Sequence, residues 1–195
     1  IMSQSELHKL GNLTDFIAGK NVNRLTSNLN EYSVQEFEYD YAHPYEGKMN
    51  FSVPSDPNMI TPGDIIINLQ TGKAAIAGEK SHKKFFSQNF SKVVFKKEFP
   101  VYYFLYLMNE DKNFQKEKKI YSTGSVIKRL TNSGLEECSV KRFSLKEEEA
   151  IGDIYMSALK IKTQATEQAE KILAINLEIL NQYVNSENKT LKEGK

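Results

Sequence analysis

The stretch that decides the fold lies in the C-terminal part of the chain, where residues 144–184 read SLKEEEAIGDIYMSALKIKTQATEQAEKILAINLEILNQYV. From Ile151 onward, ten positions are separated alternately by three and by four residues, and eight of the ten are apolar. The ten positions are Ile151, Ile154, Ala158, Ile161, Ala165, Gln168, Ile172, Ile175, Ile179 and Gln182. This spacing is typical of a coiled-coil seam and predicts one long helix.

The limits of this helix also follow from the sequence. Ser144 and Glu147 form a capping box, and no proline follows Pro100. We therefore predict a helix over 144–185, about 60 Å long at 1.5 Å per residue, and a flexible tail over 186–195. A domain built from 1–143 is too small to cover such a helix, so we expect its isoleucines to contact another helix. The alternative is a helix that folds back on its own domain.

The preceding residues, 1–143, change character every ten or fifteen positions, as mixed domains do. Ile65–Leu69 and Lys92–Phe95 have the β-branched and aromatic character of buried strands. Val101–Met108 follows Pro100 and is apolar on all sides, which predicts a buried helix. Asn132-Ser133-Gly134 predicts a turn. The expected fold is an α+β (mixed α/β) domain followed by a single long helix.

Composition excludes several classes of protein. Hydrophobic residues make up 39% of the 195 and charged residues 26%, which is typical of a globular chain. The single cysteine, Cys138, cannot form an intramolecular disulfide, and no apolar run is long enough to span a membrane. We expect a cytoplasmic protein. Phosphate-binding loops, dinucleotide fingerprints, nucleophile elbows and zinc-ligand spacings are all missing from the sequence.

One pattern leaves an enzymatic alternative open. Asp40 followed by Glu46 and Lys48 loosely fits the spacing of metal-dependent nucleases, although such a pattern is common by chance. Otherwise no catalytic residue, metal ligand or cofactor site is expected in this chain.

The net charge of +1 hides a local excess of lysine. Residues 73–97 contain one acidic residue, Glu79, and seven lysines: Lys73, Lys80, Lys83, Lys84, Lys92, Lys96 and Lys97. A neutral protein with one basic patch can hold a polyanion there, although such lysines are more often simply solvated.

Motifs across the chain carry a resemblance to a known family. They are Lys9-Leu10-Gly11, Phe16-Ile17-Ala18-Gly19-Lys20, Pro62-Gly63-Asp64-Ile65-Ile66-Ile67, Tyr103–Asn109, Gly124-Ser125 with Ile127 and Arg129-Leu130, and Phe143–Ile151. In this order they resemble the DNA-specificity (S) subunits of type I restriction–modification systems. The chain is similar to one half of such a subunit, with one target-recognition domain and one spacer helix. Phe143-Ser144 and Glu148-Glu149 depart from the prolines and Glu-Gln pair of the family.

The resemblance implies a function and partners. A recognition domain of this family reads one half of a split double-stranded DNA target, and spacer helices set the gap between the halves. Methyltransferase subunits, which bind S-adenosylmethionine, and restriction subunits assemble with it. For a half-subunit, the second helix would come from a second copy, through Ile151, Ile154, Ile161, Ile172, Ile175 and Ile179.

Loop residues with suitable chemistry are the candidates for DNA contacts. Base readout uses amide and guanidinium groups, and phosphates are held by lysine, arginine, hydroxyls and backbone N–H groups. We predict contacts from Lys20, Asn23, Arg24, Gln70, Thr71, Lys73, Ser125, Lys128 and Arg129, with Lys83 and Lys84 as electrostatic anchors. An assembly adaptor that reads no DNA remains the alternative in a different functional class.

Overall fold

A computed structural model of the chain describes residues 6–21, 30–47, 56–124 and 129–193, with side chains as far as 185. Within these ranges the chain forms six strands and five α-helices. They are β1 (Glu6–Lys9), β2 (Thr14–Ala18), α1 (Val34–Ala42), β3 (Ile65–Asn68), β4 (Lys73–Ile76), β5 (Phe90–Phe95), α2 (Val101–Asn109), α3 (Lys112–Ile120), α4 (Asn132–Glu137), β6 (Ser139–Arg142) and α5 (Leu145–Glu193). The mixed α/β domain and the long C-terminal helix are confirmed.

The strands form two antiparallel sheets. A four-stranded sheet has the order β2-β5-β3-β4, and β1 pairs with β6 in a two-stranded sheet. Both predicted strands belong to the larger sheet, as β3 and as the second part of β5, where Ile65 lies opposite Val93. One face of this sheet contributes to an aromatic and aliphatic core made of Tyr32, Phe37, Ile60, Ile66, Ala75, Ala77, Phe86 and Phe90.

The lysine excess between 73 and 97 does not form a single patch. Lys92 is only 1% exposed, and its ammonium contacts the Asp64 carboxylate at 2.9 Å and the Met59 carbonyl at 2.5 Å. Lys84 pairs with Glu36, and Lys96 pairs with Asp15. Lys92 is structural, because a buried cation with a carboxylate partner is already satisfied. Lys84 is largely buried beside Glu36, whereas Lys96 and Asp15 form an exposed pair that contributes little to stability.

The turn predicted at Asn132-Ser133-Gly134 is wrong, because these residues open α4. The Thr131 hydroxyl accepts a hydrogen bond from the Gly134 N–H at 3.0 Å and caps this short helix. A side-chain hydroxyl that accepts a hydrogen bond from the N–H three residues later occurs both in turns and at the start of helices. The local sequence therefore did not distinguish a turn from a helix here.

The capping box that starts α5 is confirmed. The Ser144 N–H donates to the Glu147 carboxylate at 3.0 Å, and the Glu147 N–H donates to the Ser144 hydroxyl at 3.4 Å. The helix then continues to Glu193, beyond the predicted end at 185 and into the predicted flexible tail. Residues 186–193 contain neither glycine nor proline, so nothing in them terminates a helix.

The chain divides into two compact units, Ile1–Ser157 and Ala158–Lys195. In the first unit, α5 packs closely on α2, since a Cβ added to Gly152 would lie 2.7 Å from the Tyr102 Cβ. Tyr155 and Met156 are buried on the same side of α5. No helix in the described part of the chain is both long and apolar enough to cross a membrane.

The second unit is the remainder of α5, and its apolar side chains are largely exposed. Ile161 is 67% exposed, and Ile172, Ile175 and Ile179 are between 57% and 60% exposed. A neighbouring row is also exposed and consists of Leu173, Leu177, Leu180 and Val184.

Candidate nucleic-acid interface

The turn before β5 organises a polar surface at the end of the larger sheet. Gln88 in this turn is exposed, and Asn89 is half-buried. The Gln88 N–H donates to the Lys20 carbonyl at 3.1 Å, and the Lys20 N–H donates to the Phe86 carbonyl at 3.0 Å. The segment after β2 is therefore fixed against this turn, and Lys20 lies beside Gln88.

The close approach of the two segments requires a glycine. A Cβ added to Gly19 would lie 2.0 Å from the Ser87 carbonyl oxygen and 2.6 Å from that of Phe86. Any other residue at position 19 would push the two backbones apart. Gly19 therefore sets the distance between Lys20 and the turn.

Arg129 reaches the same turn from a third segment. Its guanidinium Nη2 donates to the Gln88 carbonyl at 3.0 Å. Its backbone pairs with Thr123, by hydrogen bonds of 3.0 and 2.9 Å. Leu130, the next residue, donates its N–H to the Leu69 carbonyl at 2.9 Å, which ties this segment to the end of β3.

The β3–β4 hairpin brings the fourth segment. Leu69 donates its N–H to the Asn89 carbonyl at 2.9 Å. The Asn68 side-chain oxygen accepts the N–H groups of Gln70 and Thr71, at 2.9 and 3.2 Å. Gln70 and Thr71 are exposed on this hairpin. The Asn68 side chain thus fixes their backbone, whereas their side chains are exposed to solvent.

These four segments form a surface that we call the polar rim, made of Lys20, Gln70, Thr71, Gln88, Asn89 and Arg129. The structure thus brings together three of the sequence-predicted groups: Lys20, the Gln70–Lys73 hairpin and Arg129. Lys73 is half-buried beside the rim, with its ammonium 4.5 Å from the centre of the Tyr41 ring.

The remaining predicted contacts are not part of the polar rim. Lys83 is exposed, with a φ of 59°, and its N–H donates to the Ile60 carbonyl at 2.9 Å. Lys84 is half-buried and engaged with Glu36. The predicted contacts at Asn23, Arg24, Ser125 and Lys128 lie outside the described residues.

Sequence reasoning missed two groups of residues here. Gln88 and Asn89 form a short polar segment between Phe86 and the predicted strand, and this position could have identified them as a loop tip. No such signal identified Asn109 and Lys118, because each lies on a helix and its side chain bonds the backbone of residues distant in sequence. Asn109 exchanges two hydrogen bonds with the Ala74 backbone, at 2.8 and 2.9 Å. Lys118 donates to the Gly72 carbonyl at 2.6 Å.

Asp40, which belongs to the nuclease-like pattern, has a structural role. It is 3% exposed and accepts hydrogen bonds from the Tyr32 and Ser81 hydroxyls, both at 2.8 Å, and from the Gly78 N–H at 3.2 Å. Burial raises the pKa of this carboxyl. Among the described residues no cluster of histidine, cysteine, aspartate and glutamate could hold a metal ion.

No protein-family model matches the chain. No curated protein matches it either.

Solved structures match it at the level of the fold. The HsdS subunit from Thermoanaerobacter tengcongensis is 15% identical over 85% of this chain and 39% of its own, with a TM-score of 0.52. A chain from a study of complex assembly and conformational transition in the type I R-M system is 15% identical. That match covers 90% of this chain and 43% of the other, also with a TM-score of 0.52.

A third match is the type I restriction–modification S subunit from M. genitalium. It is 16% identical over 78% of this chain and 38% of its own, with a TM-score of 0.48. The chain thus spans about two fifths of the length of these three structures. It shares the fold of the first two, a mixed α/β domain followed by a long helix.

Proposed function

We propose that this chain is a non-catalytic DNA-specificity subunit of a type I restriction–modification complex, reading one half of a split target through the polar rim. The observation that carries the proposal is the convergence of Lys20, Gln70, Gln88 and Arg129 on one fixed surface. The fold likeness to an HsdS subunit supports the choice of complex.

The chemistry of the polar rim suits both parts of DNA recognition. A glutamine or asparagine amide can donate to and accept from adenine, and an arginine can make paired hydrogen bonds to guanine. Lysine ammonium groups and exposed backbone N–H groups neutralise or bind phosphates. Because the backbones of Gln70 and Gln88 are held by hydrogen bonds, only their side chains need to be ordered on binding.

The exposed seam of α5 supports a role in assembly. Isoleucines that are more than half exposed over several turns are the pattern of a helix that is buried by another helix. We propose that a second copy provides that helix and that the resulting two-fold dimer reads a palindromic split site. Methyltransferase subunits would dock on the paired helices.

The chemistry of modification and cleavage belongs to the partners in this proposal. S-adenosylmethionine would be bound by the methyltransferase subunits, and this chain would hold no cofactor. The engaged, buried carboxylate of Asp40 supports a structural role for that residue rather than metal-assisted hydrolysis.

The test is sequence selection on DNA. A duplex library with a randomised centre would be bound to the chain, sequenced after several rounds, and followed by affinity measurements at two salt concentrations. We expect a recovered half-site and a salt-dependent affinity. Arg129→Ala should lower affinity about tenfold, and Gln88→Ala should reduce the preference at one base pair.

Lys112→Ala is the matched control, because Lys112 is an exposed lysine at the start of α3, and no residue of α3 belongs to the polar rim. It should leave the preferred sequence unchanged. Recovery of no sequence preference by the wild-type chain, together with retained methyltransferase binding, would overturn DNA reading and favour the adaptor. Mg²⁺-dependent cleavage of labelled DNA, lost in Glu46→Ala, would favour the nuclease.

A further inference from the structure

Lys118 on α3 is a buried cation with an unusual environment. Lys118 is 5% exposed, and its ammonium donates to the Gly72 carbonyl at 2.6 Å and to the Met108 carbonyl at 2.5 Å. Burial lowers its pKa to about 8. Two backbone carbonyls therefore take the place of the acidic partner that a buried lysine usually has.

Lys92, which is also buried, provides a contrast. Lys92 is paired with Asp64 at 2.9 Å, whereas no carboxylate in the described part of the chain lies within ion-pair distance of Lys118. A buried charge without an opposite charge lowers the free energy of unfolding relative to an apolar side chain of the same size. Stability alone therefore does not explain a lysine at position 118.

The ammonium joins two elements at one point. Met108 lies in the last turn of α2, where carbonyls without a partner inside the helix carry partial negative charge. Gly72 lies in the β3–β4 hairpin, one residue after Thr71 of the polar rim. Lys118 thus connects the end of a buried helix to the exposed hairpin.

Gly72 is shaped for this contact. Its φ is +69°, a conformation that glycine adopts readily, and a Cβ there would lie 3.3 Å from the Lys118 nitrogen and 3.0 Å from the Leu130 side chain. A larger residue would press on both neighbours. The glycine and the lysine therefore depend on each other.

Building on the proposed function, we propose that Lys118 is a positioning residue: its buried ammonium holds the Gly72 carbonyl and thereby orients Gln70 and Thr71 for base readout. Asn68 fixes the same turn from β3, and Asn109 fixes Ala74 on the far side of Gly72. Lys118 is the link between these two supports.

The test compares Lys118→Met with Lys119→Met in the full chain. Both variants lose one lysine from the last turn of α3, but Lys119 is exposed. The readouts are thermal stability, hydrogen exchange of the amides of Gln70–Lys73, and the ratio of affinities for the selected and a scrambled duplex. For Lys118→Met we expect unchanged or higher stability, faster exchange in the hairpin and a ratio about tenfold lower.

For Lys119→Met we expect an unchanged ratio, with both affinities reduced to the same extent. Gly72→Ala disturbs the same contact from the hairpin side and should also lower the ratio of affinities for the selected and scrambled duplexes. This second variant keeps the test valid if Lys118→Met does not fold. An unchanged ratio in either folded variant at position 118 or 72, with a wild-type chain that selects a sequence, overturns this inference alone. A wild-type chain that shows no sequence preference overturns the proposed function and this inference together.

Discussion

The guanidinium of Arg142 and the carboxylate of Glu148 are joined by two hydrogen bonds, of 2.6 and 2.7 Å, across the junction between β6 and α5. Glu148 is fully buried and also accepts the Phe143 N–H at 3.0 Å. This pair attaches the long helix to the last strand of the domain. In the sequence, Glu148 is one of three consecutive glutamates, and nothing there indicated that Arg142 is its partner.

Glu148→Ala should therefore lower the free energy of unfolding by about 3 kcal/mol, because it leaves the half-buried Arg142 guanidinium without its carboxylate and the Phe143 N–H without its acceptor. Urea denaturation followed by circular dichroism measures the change. Glu149→Ala, at an exposed neighbouring position, should change it by less than about 0.5 kcal/mol. Equal effects of the two substitutions would contradict the assignment of Glu148 as the attachment point.

The solution mass should show a dimer. Light scattering of the wild-type chain is expected to give about twice 22.3 kDa, and Ile161→Glu/Ile172→Glu should give the monomer mass. Charged side chains cannot be buried in a helix–helix seam without a partner.

The control for this experiment places the same charges on the other side of the helix. At 100° per residue, Thr163→Glu/Ala174→Glu lies roughly opposite the isoleucine seam and should leave the dimer intact. A wild-type monomer would refute self-pairing and leave the helix to another protein.

Asp40 should make the stability depend on pH in a recognisable direction. Its pKa is raised above the usual 3.8 by burial, so the folded state binds more protons than the unfolded state between 3.8 and the folded pKa. The free energy of unfolding contributed by Asp40 should therefore fall as pH rises through that interval.

Asp40→Asn removes this titration. Urea denaturation of the wild type and of Asp40→Asn, from pH 3.5 upward in steps of about 0.5, measures the effect. As pH rises, the free energy of unfolding of the wild type should fall relative to that of Asp40→Asn. A difference independent of pH would show that the carboxyl keeps the same pKa in both states.

Gly19→Ala should disturb the polar rim directly. The added Cβ would meet the Ser87 carbonyl oxygen at 2.0 Å, so the backbone must move, at a cost of about 1–3 kcal/mol. We expect a lower melting temperature and a loss of sequence preference on DNA larger than that of Arg129→Ala. Ala18→Ser, at the exposed preceding position, should change neither quantity.

The parts of the structure that follow local rules were predictable. The capping box at Ser144, the buried run of β3 and the seam spacing of α5 are each recorded in neighbouring residues, because helix and strand periodicities act over short distances. The DNA-contact prediction at the β3–β4 hairpin rested on the same local information and stays a prediction, although Gln70 and Thr71 of that hairpin do belong to the polar rim.

The rest depended on contacts between residues distant in sequence. Lys92 and Lys84 looked like surface cations until the fold brought Asp64 and Glu36 to them. The role of Lys118 follows from a carbonyl 46 positions away. Such pairings are fixed by tertiary packing, so a pattern of charges along the chain does not reveal which charges remain available for a ligand.

The side-chain amide of Asn109 has a consequence for the edge of the larger sheet. By pairing with both backbone groups of Ala74, it occupies the hydrogen-bonding positions that an additional strand would use along β4. On the opposite edge, the Asn132 amide donates to the Phe16 carbonyl of β2 at 3.2 Å. One position on each outer strand of the larger sheet is thereby occupied by a side chain, so an additional strand could not form its full set of backbone hydrogen bonds there.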